Sequence, residues 1–254
     1  MNDAFDVWMR ALETRHLADL QFREVARALR ALSSTYVERR QGLHAGAALS
    51  GAGKRAAFAL FYGPLHYLLV RAIVGALPDT ECFDGTLVDL GCGTGAAGAA
   101  WAAGHENRKR PSILGVDRHP WAVQEAAAAY RELGLSGRAR IGDIARDGLP
   151  RGQAYLAAFT VNELSDAARA ALLPKLVALG ARGLAVLIVE PLAGFVAPWW
   201  RDWSVAFDET GGRADEWRFQ VPLPAIVAKL GRAAGLNHRE LTGRSLWMGA
   251  RHAF

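Results

Sequence analysis

The sequence predicts an α/β fold, a doubly wound and mostly parallel sheet behind an N-terminal helical layer, closed by an antiparallel pair of strands at the C-terminus. Three observations predict it. From Thr86 onward, short apolar runs alternate with helical segments, the pattern of strands joined by crossover helices. The first run, Leu87–Leu90, stops at three glycines in alternate positions, Gly91, Gly93 and Gly95, and the alanine-rich segment Ala96–Ala103 follows at once. At the end of the chain, His238–Leu241 and Ser245–Ala250 read as two short strands joined through Thr242 and Gly243, hence as a hairpin.

Residues 4 to 40 read as helical. Phe22, Val25, Leu29 and Leu32 fall on one stripe, while Arg23, Arg27 and Arg30 lie off it. The glycine-rich stretch from Gly42 to Gly53 reads as a flexible connection, closed by Lys54 and Arg55. Phe58, Tyr62, Leu65, Leu69 and Ile73 then repeat at helical spacing, ending near Pro78, with Pro64 bending this helix or marking its start. The first 80 residues are thus a helical layer placed before the first strand. The strand candidates are Leu87–Leu90, Ser112–Val116, Ala139–Ile141, Tyr155–Thr160 and Gly183–Val189. Helices are expected over Trp121–Leu133, Asp166–Leu179 and Leu223–Ala234.

A chain of 254 residues that is 51% hydrophobic and 22% charged suits a globular protein with a sizeable core. The best membrane candidate, Ala56 to Leu77, is interrupted by Pro64, His66 and Arg71, so no run of roughly 18 apolar residues is expected to cross a bilayer. The N-terminus carries Asp3 and Asp6 and has no apolar centre, so no export signal is expected. Cys82 and Cys92 form neither a disulfide framework nor a metal cluster, which points to a reducing cytoplasm and no bound metal. A net charge of +5 permits a polyanionic partner without requiring one.

The chemistry is expected where the strands end. A strand that stops at Gly91-Cys-Gly-Thr-Gly95 lets a ligand approach the backbone, and the helix behind it aims its free N–H groups there. Asp117 ends the second strand, 22 positions after Gly95. A carboxylate there can accept from both hydroxyls of a ribose, or can cap the helix at Trp121. Asp143 follows the third strand, where it can accept from an adenine amine while Ile144 packs on the ring, or can serve as a turn aspartate. Asn162 and Glu163 stand at the carboxyl end of the fourth strand. Glu163 is a candidate base or positioning carboxylate, or else a helix N-terminal charge. Cys92 reads as a small filler rather than a nucleophile. An aromatic insertion follows the fifth strand, with Trp199, Trp200, Trp203, Phe207 and Trp217. It is expected at the rim of a substrate pocket or packed on the N-terminal helices.

Val-Asp-Leu-Gly-Cys-Gly-Thr-Gly, then Gly-Val-Asp, then Gly-Asp-Ile resemble the first three motifs of class I methyltransferases that use S-adenosylmethionine. The resemblance covers residues 86 to 254. It implies a seven-stranded Rossmann-like sheet, with residues 81–254 as the S-adenosylmethionine-binding domain and residues 1–80 as a substrate cap. It implies cofactor contacts by Asp89, Gly91, Cys92, Gly93, Gly95, Asp117, Arg118, Asp143, Ile144 and Thr160. Asn162 and Glu163 would be catalytic, and Tyr62, His66, Glu190, Trp199, Trp200 and Trp203 would meet the substrate. The glycine spacing differs from the Gly-x-Gly-x-x-Gly of dehydrogenases, which favours the methyl donor over a nicotinamide.

A narrower set, Arg55 to Tyr67 with its Phe-Tyr-Gly-Pro-Leu-His-Tyr, Val-Asn-Glu-Leu after the fourth strand and Val-Glu-Pro after the fifth, resembles methyltransferase-like proteins of the ribosomal small subunit. The chain lacks the cysteine cluster those proteins use for an iron–sulfur site. The resemblance implies methyl transfer to ribosomal RNA or another RNA, slightly ahead of a small-molecule acceptor in an aromatic pocket. It also leaves open a non-catalytic ribosome-assembly protein that keeps the cofactor fold.

Overall fold

Four apolar runs form strands buried along nearly their whole length: β1 (Thr86–Leu90), β2 (Ser112–Asp117), β4 (Ala154–Ala158) and β5 (Ala185–Glu190). Continuous apolar strands of this kind are stable only with both faces covered, as in a parallel sheet wrapped by helices. In the computed structural model, which describes residues 3–38, 49–105, 109–192, 197–236 and 240–250, the edge strand β3 (Gly137–Ile141) and two further strands, β6 (Arg213–Phe219) and β7 (Leu241–Met248), complete the sheet. Among the described residues its order is β3-β2-β1-β4-β5-β7-β6. β1 to β5 pair in parallel, and β7 runs antiparallel to both β5 and β6. The order reverses between β1 and β4, and that switch point leaves a crevice at the strands' carboxyl ends.

Helices cover both faces. On one side α1 (Asp3–His16), α2 (Phe22–Glu38), α4 (Gly63–Ala76), α5 (Ala96–Ala103), α6 (Pro120–Glu132) and α9 (Ala225–Ala234) share a core in which Trp8, Leu29, Phe61 and Ile73 meet Trp101, Tyr130 and Trp247. On the other, α7 (Asp166–Ala181) and α8 (Trp200–Glu209) bring Leu172, Leu176, Trp203 and Phe207 onto Val88, Ile188 and Leu246. Burying a large apolar side chain stabilises by roughly 1.5–3 kcal/mol. The many such residues shared between the N-terminal helices and the sheet make the helical layer part of one core rather than a tethered lobe.

Several expectations need correction. The helical stretch expected over 4–40 forms two helices, parted at residues 17–21. The glycine-rich connection expected from Gly42 to Gly53 lies mostly outside the described residues. Ala52–Ala76 is continuous helix, long and apolar enough to cross a membrane by length and composition despite Pro64, His66 and Arg71; yet 72% of its apolar window is buried inside the protein. Pro64 marks the start of α4, one of its two expected roles. α3 (Ala52–Ala57) leads into a π-helical segment, Phe58–Tyr62, and α4 begins with the proline in its first turn. The wider π turn makes room for a ring that would otherwise press on the carbonyl four residues back.

The antiparallel pair is present, but it is not a hairpin within 238–250. Residues 241–248 are one strand, whose partner β6 lies before α9. Residues 237–239 lie outside the described residues. Gly243, read as a turn, sits inside β7, where a Cβ would come within 3.0 Å of a Leu69 side-chain carbon. It is a point of close approach between strand and helix.

The helical layer is also fastened by charge. Arg15 donates to Glu125 at 2.6 Å and to Glu132 at 2.6 Å, and the His16 ring lies 3.1 Å from Glu125, so α1 is clamped to α6. Burial alone would raise the Glu125 carboxyl, but its hydrogen bonds to His16 and Arg15 outweigh that and hold it below its ordinary value. A depressed carboxylate stabilises the fold above its unfolded pKa and loses that contribution as pH falls through its folded pKa. Because Arg15 is partly exposed, Glu125→Gln is expected to cost about 1–2 kcal/mol at pH 7. Urea unfolding should show the variant and the parent converging below about pH 4.

Candidate functional site

The crevice at the switch point opens into a cavity of about 470 Å³. One side of it is the loop Gly91–Gly95. Gly91 and Gly95 have φ of 69° and 74°, in the left-handed region that glycine tolerates. A Cβ on Gly91 would collide with the Thr160 side chain, and one on Gly95 would lie 2.9 Å from Ala126. Gly91 and Gly93 face the cavity with Cys92 and Thr94. Gly95 does not; it begins α5 and packs against α6.

Two carboxylates hold this loop. Asp89, 1% exposed at the end of β1, accepts from the Gly98 N–H at 3.1 Å and so pins the first turn of α5. Desolvation pushes it up to about 7, with the Gly98 N–H pulling down and nearby Asp117 pushing further up. Asp117 ends β2, accepting from Gly93 N–H at 2.9 Å with one oxygen and from His119 N–H at 2.8 Å with the other. The helix cap is therefore not Asp117: the His119 ring nitrogen accepts from Trp121 N–H at 3.2 Å. Asp117 instead sets the loop against the end of β2, with Arg118 and His119 beside it on the cavity wall.

Asp143 and Ile144 also line the cavity. Asp143 shapes a turn through Ala145 N–H at 2.9 Å and leaves about a third of its side chain exposed. The Thr160 hydroxyl donates to the Gly91 and Ala158 carbonyls at 3.2 and 3.1 Å, tying the end of β4 to the glycine loop across the switch point. The Cys92 thiol is buried, and burial with Asp89 and Asp117 nearby raises its pKa, so it is no nucleophile at neutral pH.

Beyond the loop, the carboxyl ends of β4 and β5 contribute a second group. Asn162 and Glu163 sit in a 3-10 turn after β4. Glu190, fully buried at the end of β5, accepts from Asn162 N–H at 3.2 Å and from its side-chain amide at 2.7 Å. The Trp199 indole N–H donates to the Asn162 oxygen at 3.0 Å. Asn162 is thus held at both ends of its amide and positions the turn. Desolvation pushes Glu190 up to about 8, partly offset by N–H donors from Asn162 and Val161 and reinforced by Glu163. Desolvation raises Glu163 as well, with Arg118 opposing; the surface it keeps open tempers that shift.

The helical layer closes the cavity. Phe58, Tyr62, Leu65, His66 and Leu69 line it from above. The His66 ring stacks on Phe159 at 3.9 Å and 16°, and desolvation lowers His66 to about 3, so it is neutral. Tyr62, His66 and Glu190 therefore do face the cavity. Trp199, Trp200 and Trp203 do not line it. They pack with α7 and the back of the sheet, because α8 lays its apolar stripe on the second core.

Phe159, Thr94, Leu241 and Thr242 line the cavity without having been singled out in the sequence. Phe159 carries no readable signal, since its φ of 58° follows from the tertiary fold. Phe58 and Leu69 were legible only as members of a helical stripe.

No protein-family model and no curated protein matches the sequence. Solved structures are similar to it. An O-methyltransferase from neocarzinostatin biosynthesis, in complex with S-adenosylmethionine and 2-hydroxy-5-methyl naphthoic acid, aligns at a TM-score of 0.52 and 16% identity over 95% of this chain and 74% of that one. A putative RNA methyltransferase from Pyrococcus horikoshii aligns at 0.48 and 16% identity, over 73% and 83% of the two chains. A SAM-dependent methyltransferase from Aquifex aeolicus aligns at 0.47 and 14% identity, over 73% and 91%.

Because Glu190 binds its proton more tightly folded than unfolded, its contribution to stability is complete below about pH 4.5 and is lost as pH rises towards 8. Thermal melts of the ligand-free protein are expected to fall across that window, by at most about 1.4 kcal/mol per pH unit from this one group. In Glu190→Gln the decline should flatten; an unchanged slope would assign the pH dependence elsewhere.

Proposed function

We infer that the chain has the class I methyltransferase fold, from its sheet order and its likeness to the neocarzinostatin-pathway enzyme.

We propose that this protein is a methyltransferase that takes its methyl group from S-adenosylmethionine and passes it to a small molecule held under the N-terminal helices. The observation that carries the reading is the pairing of Asp117 with Gly93: the end of β2 and the glycine loop meet at one carboxylate on the wall of a cavity at the switch point. In this reading Asp117 holds the ribose hydroxyls, Asp143 and Ile144 the adenine, and Gly91, Cys92 and Gly93 the methionine end, with Asp89 and Thr160 keeping the loop in shape. When bound, the sulfonium supplies an electrophilic methyl carbon. The protein's part is then alignment of an acceptor and, through Glu163, removal of a proton.

The acceptor side favours a small molecule. Phe58, Tyr62, His66 and Phe159 line the cavity with aromatic surface, and its size lies within the usual range of ligand pockets. Residues 1–80 act in this reading as the cap over the acceptor. Two free cysteines, Cys82 and Cys92, suit a cytoplasmic protein. RNA is the second reading, favoured by the +5 charge and by exposed Arg138 and Arg140 on β3. RNA binding that falls steeply with added salt would support it.

Calorimetry with S-adenosylmethionine tests the donor site. Asp117→Ala is expected to weaken binding by roughly 10- to 100-fold, the worth of one or two hydrogen bonds to a charged group. An unchanged affinity would remove Asp117 from the donor site.

A further inference from the structure

We propose that the acceptor is a planar aromatic molecule that offers an O–H or N–H group and carries no anionic group, a phenol or an aromatic amine. This rests on the reading of the cavity as a methyl-transfer site, and it follows from the chemistry of the wall opposite the glycine loop.

That wall is aromatic and held in place. The rings of Phe58 and Tyr62 lie 6.1 and 6.2 Å from His66, which stacks on Phe159. Phe159 holds a φ of 58°, rare for a bulky residue. Its N–H donates to the Val189 carbonyl at 2.7 Å, so the ring's position is fixed by the sheet. Backbone strain of this kind is found at ligand clamps. A flat ligand can stack against such a wall.

The carboxyls beside it, Glu163 and Glu190, offer little to an anion. Both ends of the Asn162 amide are engaged, by Glu190 and by Trp199. Glu163 and Glu190 remain, and His66 is neutral. Among the described residues that line the cavity, Arg118 is the sole Lys or Arg, and it already acts on Glu163. Arg244 is buried on β7, with two guanidinium nitrogens lacking a hydrogen-bond partner. It lies over the Trp200 ring and outside the lining. A carboxylate or phosphate in the acceptor position would face two carboxyl groups and a single arginine, Arg118, whose charge also acts on Glu163, which disfavours it. An O–H or N–H finds an acceptor instead.

The step balances. The Glu163 carboxylate takes the proton of the acceptor's O–H or N–H, and the freed lone pair forms a bond to the methyl carbon of S-adenosylmethionine. The carbon–sulfur bond breaks, and its electron pair stays on sulfur as the neutral thioether of S-adenosylhomocysteine.

The test uses the whole protein and calorimetry. S-adenosylhomocysteine is titrated first, and the saturated protein is then titrated with 2-naphthol, 2-naphthylamine and 2-naphthoate. The expected result is binding of the naphthol and the naphthylamine about tenfold or more tighter than the naphthoate, with that preference reduced in Glu163→Gln. Naphthoate binding as tightly as naphthol, or no naphthol binding to the saturated protein, would overturn the proposal while leaving the donor site standing. Failure of S-adenosylhomocysteine itself to bind would show in the first titration and would overturn the donor reading, and this proposal with it.

Discussion

The structure depends on two carboxylates placed at the ends of neighbouring parallel strands. Asp89 takes the N–H of Gly98 and Asp117 takes the N–H of Gly93, so the glycine loop is fixed to β1, β2 and α5 at once. The cost is electrostatic. Asp89 is almost fully buried and close enough to Asp117 to be pushed upward by it. Like charges held near each other in a desolvated site are unfavourable, and a site built this way gains from a cationic ligand. A sulfonium is such a ligand.

The N-terminal helices complete what the loop begins. Gly63, at the start of α4, comes so near Thr94 that a Cβ would lie 3.1 Å from its hydroxyl, so the helical layer rests directly on the glycine loop. Pro64 and the π-helical segment before it set that contact and turn Phe58, Tyr62 and His66 toward the cavity. The clamp of α1 on α6 and the shared core hold the layer there. The cavity is thus part of the folding core, which ties its shape to the stability of the whole chain.

Much of this was legible in the sequence because it rests on local chemistry. Leu87–Leu90 must end where three glycines begin, and Asp117 and Asp143 follow their strands at positions the alternation itself marks. What was not legible depends on long-range packing. β6 reads Arg-Ala-Asp-Glu-Trp-Arg-Phe, a largely exposed edge strand with little apolar signal. Gly243 carries the same letter in a turn or in a close contact, and only Leu69 across the interface decides between them. The tryptophans after β5 suggested a pocket rim, but α8 directs Trp203 into the second core and Trp199 onto Asn162. Phe159 becomes a site residue only through a backbone conformation that no local pattern announces.

The most direct measurement is transfer of label from methyl-labelled S-adenosylmethionine into a cell extract that has been separated into RNA, protein and low-molecular-weight fractions. Label is expected in the low-molecular-weight fraction, on an aromatic hydroxyl or amine. Label confined to RNA, or none in any fraction from a protein that binds the donor, would contradict that expectation.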